Sequence, residues 1–164
     1  MENNPSRARI LVVDDEDGVR TLLACALTRA GYHVDAAANG REAAAFFAKH
    51  SYDLVTLDFN LPGVDGAHLH RTLSKAYGFG QRLSPLLPQR LPPILIITGF
   101  YDEKAVQEMI FGERVVGVLQ KPIDLKKFTG IVGELLEWER VRRAHRARAL
   151  ERLGVDSAPE EAAG

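Results

Sequence analysis

Five polar residues occupy positions where side chains could do chemistry together: Asp14, Asp15, Asp58, Thr98 and Lys121. Each follows or ends a short apolar run. Asp14 and Asp15 close Ile10–Val13, Asp58 closes Leu54–Leu57, Thr98 closes Ile94–Ile97, and Lys121 follows Val115–Leu119. Three carboxylates gathered at one place repel one another strongly unless a cation joins them. A hard divalent ion resolves that repulsion, and Mg²⁺ suits a few carboxylates together with water and phosphate oxygens. No Cys/His cluster of zinc spacing is present. Taken singly, each residue has a plainer role. Asp14 and Asp15 could cap a helix, Asp58 could be a loop acid, Thr98 a turn former and Lys121 a solvated charge.

The elements that must position these residues alternate along the chain. Ile10–Val13 is too short for a helix and rich in branched residues, as a buried parallel strand is. Val19, Leu22, Leu23, Ala26, Leu27 and Ala30 recur at helical spacing, and Gly31 stops that helix. Cys25 lies in this run and is expected to be an inert core residue. Tyr32 to Ala37 predicts a second strand. Asn39 with Glu42 predicts a capping box opening a helix through about His50. Leu54–Leu57 is the third strand, and a third helix is expected from about Gly66 to Tyr77.

Gly78 to Pro93 carries Pro85, Pro88, Pro92 and Pro93 and predicts a long surface loop. A fourth strand, a helix from about Glu103 to Phe111 and a fifth strand follow. Asp124 can cap a last helix that runs on through Trp138 into an arginine-rich segment. Asp156 to Gly164 is small and acidic and is expected to be disordered. The alternation predicts an α/β fold with a doubly wound parallel sheet of five strands and helices on both faces. In such a sheet the five polar residues share the carboxyl edge, where sites form.

Composition sets outer bounds. The chain has 164 residues, 46% hydrophobic and 26% charged, enough for one core of ordinary size. A net charge of −1 creates no global attraction to nucleic acid or anionic membrane. No apolar run reaches the roughly 20 residues of a membrane span, and the N-terminus lacks an apolar signal core. A cytoplasmic protein with no membrane partner is the expectation.

The motifs Val12-Val13-Asp14-Asp15-Glu16, Leu57-Asp58-Phe59-Asn60-Leu61-Pro62-Gly63-Val64-Asp65-Gly66, Ile97-Thr98-Gly99 and Lys121-Pro122 together resemble the receiver domain of two-component response regulators. The resemblance covers about residues 8 to 136. It implies a flavodoxin-like sheet of order 2-1-3-4-5 and a Mg²⁺-dependent phosphoacceptor. Asp58 would be the nucleophile, attacking a phosphohistidine. Asp14, Asp15, Asp58 and the Asn60 carbonyl would hold Mg²⁺. Lys121 would pair with Asp58 and then with a phosphoryl oxygen, Thr98 would donate its hydroxyl to another, and the Lys121–Pro122 bond would be cis.

The implied partners are a sensor histidine kinase or a histidine phosphotransfer protein. A stand-alone receiver adds an unknown output protein contacted directly, with no DNA-binding domain; a homodimer stays open. The implied activity is self-catalysed phosphoryl transfer and autodephosphorylation, without turnover of an outside substrate.

Three features depart from the family pattern. Many receivers place an aromatic ring three residues before the lysine, where this chain has Val118; Phe100 or Tyr101 are the alternative switch residues. The loop at about 78–93 is longer than usual. The chain also continues past a receiver of residues 1–136 into an extension, 137–164. There Arg140, Arg142, Arg143, Arg146, Arg148 and Arg152 alternate with apolar residues every three positions, a spacing that holds no heptad seam. A solvated extension of the last helix is the plainest reading, ahead of a docking helix or nucleic-acid contact. His33, His50, His68, His70 and His145 sit at no strand end and read as ordinary surface or packing residues. Two other functions compete: a phosphate-independent receiver-like interaction module, and an aspartyl-phosphate phosphohydrolase. Asn60 stands where such hydrolases carry a second aspartate.

Overall fold

A computed structural model of the chain describes residues 7–61, 92–99 and 114–152. The elements are β1 (Arg9–Val13), α1 (Asp17–Arg29), β2 (His33–Ala37), α2 (Gly40–Phe47), β3 (Leu54–Asp58), β4 (Ile94–Thr98), β5 (Val115–Gln120) and α3 (Leu125–Arg152). The predicted helices at 66–77 and 103–111, the loop from 78 to 91, Phe100, Tyr101, His68, His70 and the acidic tail lie outside the described residues.

All five strands pair in parallel, in the order β2-β1-β3-β4-β5. The fold is therefore the flavodoxin-like, doubly wound sheet that the sequence predicts. The order reverses at β1, so β1 and β3 lie side by side while their crossover connections diverge. This opens a crevice at their carboxyl ends. β3 and β4 are buried at every position, as strands covered on both faces must be. The core cluster joins Leu11, Val13, Val55, Leu57, Ile94 and Ile96 to Ala43, Phe47 and Tyr52.

Local chemistry explains how the helices begin and end. Gly31 takes φ +98°, and its N–H donates to the Thr28 carbonyl at 3.0 Å while that of Tyr32 reaches Leu27 at 3.2 Å. This is a Schellman motif, which turns the chain from α1 into β2. At α2 the Asn39 Oδ1 accepts from the Glu42 N–H at 2.9 Å, and the Glu42 carboxylate accepts from the Ala38 N–H at 2.8 Å. The capping pair is as expected, but α2 ends at Phe47, short of His50. Asp124 Oδ1 accepts from the Lys127 N–H at 2.9 Å and starts α3.

Two expectations about burial are corrected. Cys25 is exposed rather than in the core. The buried stripe of α1 is Leu23 and Leu27, and a residue two positions from Leu23 faces the other way. Pro92 and Pro93, placed in a surface loop, are buried, and the Pro93 carbonyl accepts from the Val55 N–H at 2.9 Å. They already lead into β4.

The chain divides into two compact units, residues 1–129 and 130–164, and α3 runs from one into the other. Phe128 is fully buried in the first unit. In the second, every residue from Arg140 to Ala149 is exposed. Arg140 forms a two-pronged ion pair with Glu137 at 2.8 and 2.6 Å. Arg142 bonds Glu139 at 3.0 Å and lies over the exposed ring of Trp138 at 5.3 Å. Pairs three residues apart on a helix stabilise it locally where little packs against it. No described helix is long and apolar enough to cross a membrane.

Candidate phosphoacceptor and metal site

The parallel ladder runs one residue past the strands it connects, and that extension fixes the site. The Asp14 N–H donates to Ala37 at 3.1 Å, Phe59 N–H to Ile97 at 3.0 Å, and Lys121 N–H to Thr98 at 2.7 Å. The backbones carrying Asp14, Asp58 and Lys121 are thereby held by the sheet. Asp14 and Asp58 are nearly fully buried, 1% and 3% exposed, which no isolated carboxylate tolerates without a partner.

The two aspartates are arranged alike. Asp14 Oδ1 accepts from the Glu16 N–H at 2.9 Å, and Asp58 Oδ1 accepts from the Asn60 N–H at 2.9 Å. Each turn engages one oxygen and leaves Oδ2 for the crevice. Lys121 Nζ then lies 2.9 Å from Asp58 Oδ2 and 3.1 Å from Asp14 Oδ2. Its third contact is Glu16 Oε1, at 2.7 Å. The Lys121–Pro122 bond is cis.

Electrostatics follow from this placement. Burial pushes the Asp14 carboxyl above its ordinary value and Asp58 adds to the rise, while the Glu16 N–H and Lys121 pull against it. Burial opposes the charge on Lys121. Its hydrogen bonds to Glu16 and Asp58, with the charge of Asp14 close by, outweigh that and raise its pKa. Among the described residues, three carboxylates thus share one ammonium, an arrangement short of positive charge.

Carboxylate oxygens of Asp14, Glu16 and Asp58 all lie within 4.8 Å of one another, close enough to ligate one ion. Asp14 Oδ2 is buried and accepts no hydrogen bond from the described residues; Lys121 stands at ion-pair distance outside hydrogen-bond geometry. A buried acidic oxygen with unused lone pairs fits a hard cation.

Among the predicted site residues, Asp14, Asp58 and Lys121 come together. Asp15 is half-buried, and its carboxylate is not among the converging three. Asn60 is exposed two residues after Asp58, and Thr98 is buried at the end of β4 beside β5. Val118 packs against the core cluster. Glu16, unlike these, has no role that its sequence context alone assigns. Its position after Asp14-Asp15, at the carboxyl edge of β1 and the N-cap of α1, is the signal that could have found it.

Comparison with known proteins places the chain in a family of this fold. The sequence model of the response regulator receiver domain matches residues 10–132. The chain is 31% identical over 118 residues to the transcriptional regulatory protein AfsQ1 of Streptomyces coelicolor, covering 68% of this chain and 51% of that protein. It is 30% identical over 136 residues to the regulatory protein AtoC of Escherichia coli, covering 82% and 26%. Among solved structures, the chemotaxis response regulator CheY4 of Vibrio cholerae is 27% identical with a TM-score of 0.63, covering 79% of this chain and 99% of that one. A receiver domain protein of Methanospirillum hungatei shares the fold at 23% identity and a TM-score of 0.67, covering 84% and 99%.

The chain spans about half or less of the length of these curated relatives. That corrects the expected partner set. Relatives of the receiver stretch are named as transcriptional regulators and are much longer than the match. The residues of a receiver do not report what its protein carries beyond it, so the expectation of a stand-alone signal with no DNA-binding domain is withdrawn. From residue 10 to residue 132, and in its fold, the chain belongs to the response regulator receiver domain family.

Proposed function

We propose that this receiver takes a phosphoryl group onto Asp58 in a Mg²⁺-dependent step of two-component signalling. One observation carries the reading: Lys121, 63 residues away in sequence, is held 2.9 Å from the Asp58 oxygen that the turn at Asn60 leaves unengaged. Asp58 Oδ2 attacks phosphorus, the new O–P bond forms, and the donor's bond to phosphorus breaks with its electron pair staying on the donor. Lys121 moves from the carboxylate to a phosphoryl oxygen, and the Thr98 hydroxyl would donate to another. Asp14 and Asp58, with Asp15 alongside and the Asn60 carbonyl, would hold Mg²⁺, which supplies positive charge to the phosphoryl oxygens as the transfer proceeds.

Chemistry in this reading is confined to gaining and hydrolysing the protein's own phosphoryl group, and it takes place in the cytoplasm. Phosphorylation biases an equilibrium between two arrangements of the sheet edge. Val118, lacking a ring, serves as packing, so the coupling runs through other residues. A titration with beryllofluoride and MgCl₂, followed by amide NMR, tests the proposal. Shifts at Asn60, Gly99 and Lys121 are expected in the native chain and absent in Asp58→Asn. An equal response in both proteins overturns it.

A further inference from the structure

The ammonium of Lys121 has three N–H donors and three carboxylates around it, and the three contacts are unequal. Glu16 is nearest at 2.7 Å, Asp58 follows at 2.9 Å, and Asp14 is last at 3.1 Å, outside hydrogen-bond geometry. Exposure runs in a telling order. The side chain of Glu16 is 59% exposed, that of Lys121 15%, and those of Asp58 and Asp14 3% and 1%. Any cation that binds Asp14 must take over the oxygen that Lys121 now faces. Lys121 must give up that contact without leaving Asp58.

We propose that Glu16 is a positioning residue that holds Lys121 aligned on Asp58 while Asp14 is released to the metal. This rests on the phosphoacceptor reading and assigns to the site a residue that the reading does not use. Glu16 suits the role for three reasons. It lies on the solvent side of Lys121, so its charge costs little desolvation. It is fixed by its backbone, because the Glu16 N–H is bound by Asp14 Oδ1. It also follows Asp14 by two residues at the N-cap of α1, so metal ligand and lysine tether share one turn.

Without Glu16, the anionic partners left to Lys121 among the described residues are two buried carboxylates, Asp58 and Asp14. The lysine would then compete with the metal for Asp14. The consequence is specific: Glu16 strengthens metal binding through Lys121, not as a metal ligand. Removing its charge weakens Mg²⁺ binding about 3- to 10-fold, the scale of one ordinary hydrogen bond. Removing the lysine first abolishes that effect.

The test is a double-mutant cycle on the whole chain, with Mg²⁺ affinity read from amide shifts of Gly99 and Asn60 as MgCl₂ is added at constant ionic strength. The expected result is weaker binding in Glu16→Gln and no further difference between Lys121→Met and Glu16→Gln/Lys121→Met. Unchanged affinity in Glu16→Gln overturns the inference. So does the same loss in both backgrounds, which would make Glu16 a direct ligand or a remote charge. If Lys121→Met does not fold, exchange of the Lys121 ammonium protons with water decides. Exchange should be slow in Mg²⁺-bound native protein and fast in Mg²⁺-bound Glu16→Gln, and equal rates overturn the inference. Beryllofluoride response in the native chain, lost in Asp58→Asn, reports separately on the phosphoacceptor reading.

Discussion

Replacing Asp14 by asparagine should stabilise the metal-free protein and abolish its response to Mg²⁺. The magnitude follows from three neighbours. Asp58 and Glu16 place carboxylate oxygens within 4.8 Å of Asp14. At an effective dielectric near 20, each such repulsion is about 3–4 kcal/mol, and the attraction of Lys121 at 3.1 Å is about 5 kcal/mol. The exposed Glu16 is partly screened, so these terms nearly cancel, and burial of the Asp14 charge decides the sign. Asparagine keeps an Oδ1 for the Glu16 N–H, and Lys121 keeps Asp58 and Glu16 as counter-charges. A net gain of about 1–3 kcal/mol is expected at pH 7, with Tm rising roughly 2–4 °C for each kcal/mol.

The pH dependence gives a second signature of Asp14→Asn. The folded pKa of Asp14 lies above its unfolded value near 3.8. As pH rises through that window the unfolded state releases its proton first, so the folded state binds more protons and loses stability. The advantage of the variant over the native protein should therefore be full above the raised pKa and shrink as pH falls through the window. Thermal melts by circular dichroism at several pH values, with and without MgCl₂, measure both effects. A lower Tm for metal-free Asp14→Asn at pH 7, together with undiminished stabilisation by MgCl₂, would refute the reasoning.

Two further predictions concern the frame. Tyr52→Phe removes the hydroxyl that donates to Asp35 at 2.8 Å but keeps the edge-on contact with Phe47; it should cost about 1–2 kcal/mol, read as a lower urea midpoint with unchanged slope. Gly31→Ala meets no atom within 4 Å, so its cost is backbone strain alone at φ +98°, about 1 kcal/mol, seen as a lower Tm with the Mg²⁺ response intact.

Much of this arrangement was legible because strand ends carry the chemistry. Apolar runs closing on Asp14, Asp58, Thr98 and Lys121 predict both the sheet and the edge where the site forms. Gly31 and the Asn39–Glu42 pair mark helix ends by local bonds that involve only neighbours in sequence. The readings that failed needed tertiary information. Cys25 sits in an apolar run, yet which stripe of α1 faces the sheet is set by Leu23 and Leu27. Glu16 looks like any first-turn acid until Lys121 arrives from 105 residues away. The partner set failed for another reason, because what lies beyond a receiver is not encoded in its site.

The central claim is that Asp58 becomes phosphorylated, and borohydride trapping tests it most directly. The protein is incubated with acetyl phosphate and MgCl₂, reduced with borohydride to convert an acyl phosphate into homoserine, and mapped by peptide mass spectrometry. Homoserine at position 58, dependent on Mg²⁺, is the expected result. No homoserine at 58, or modification at another residue instead, would contradict the account.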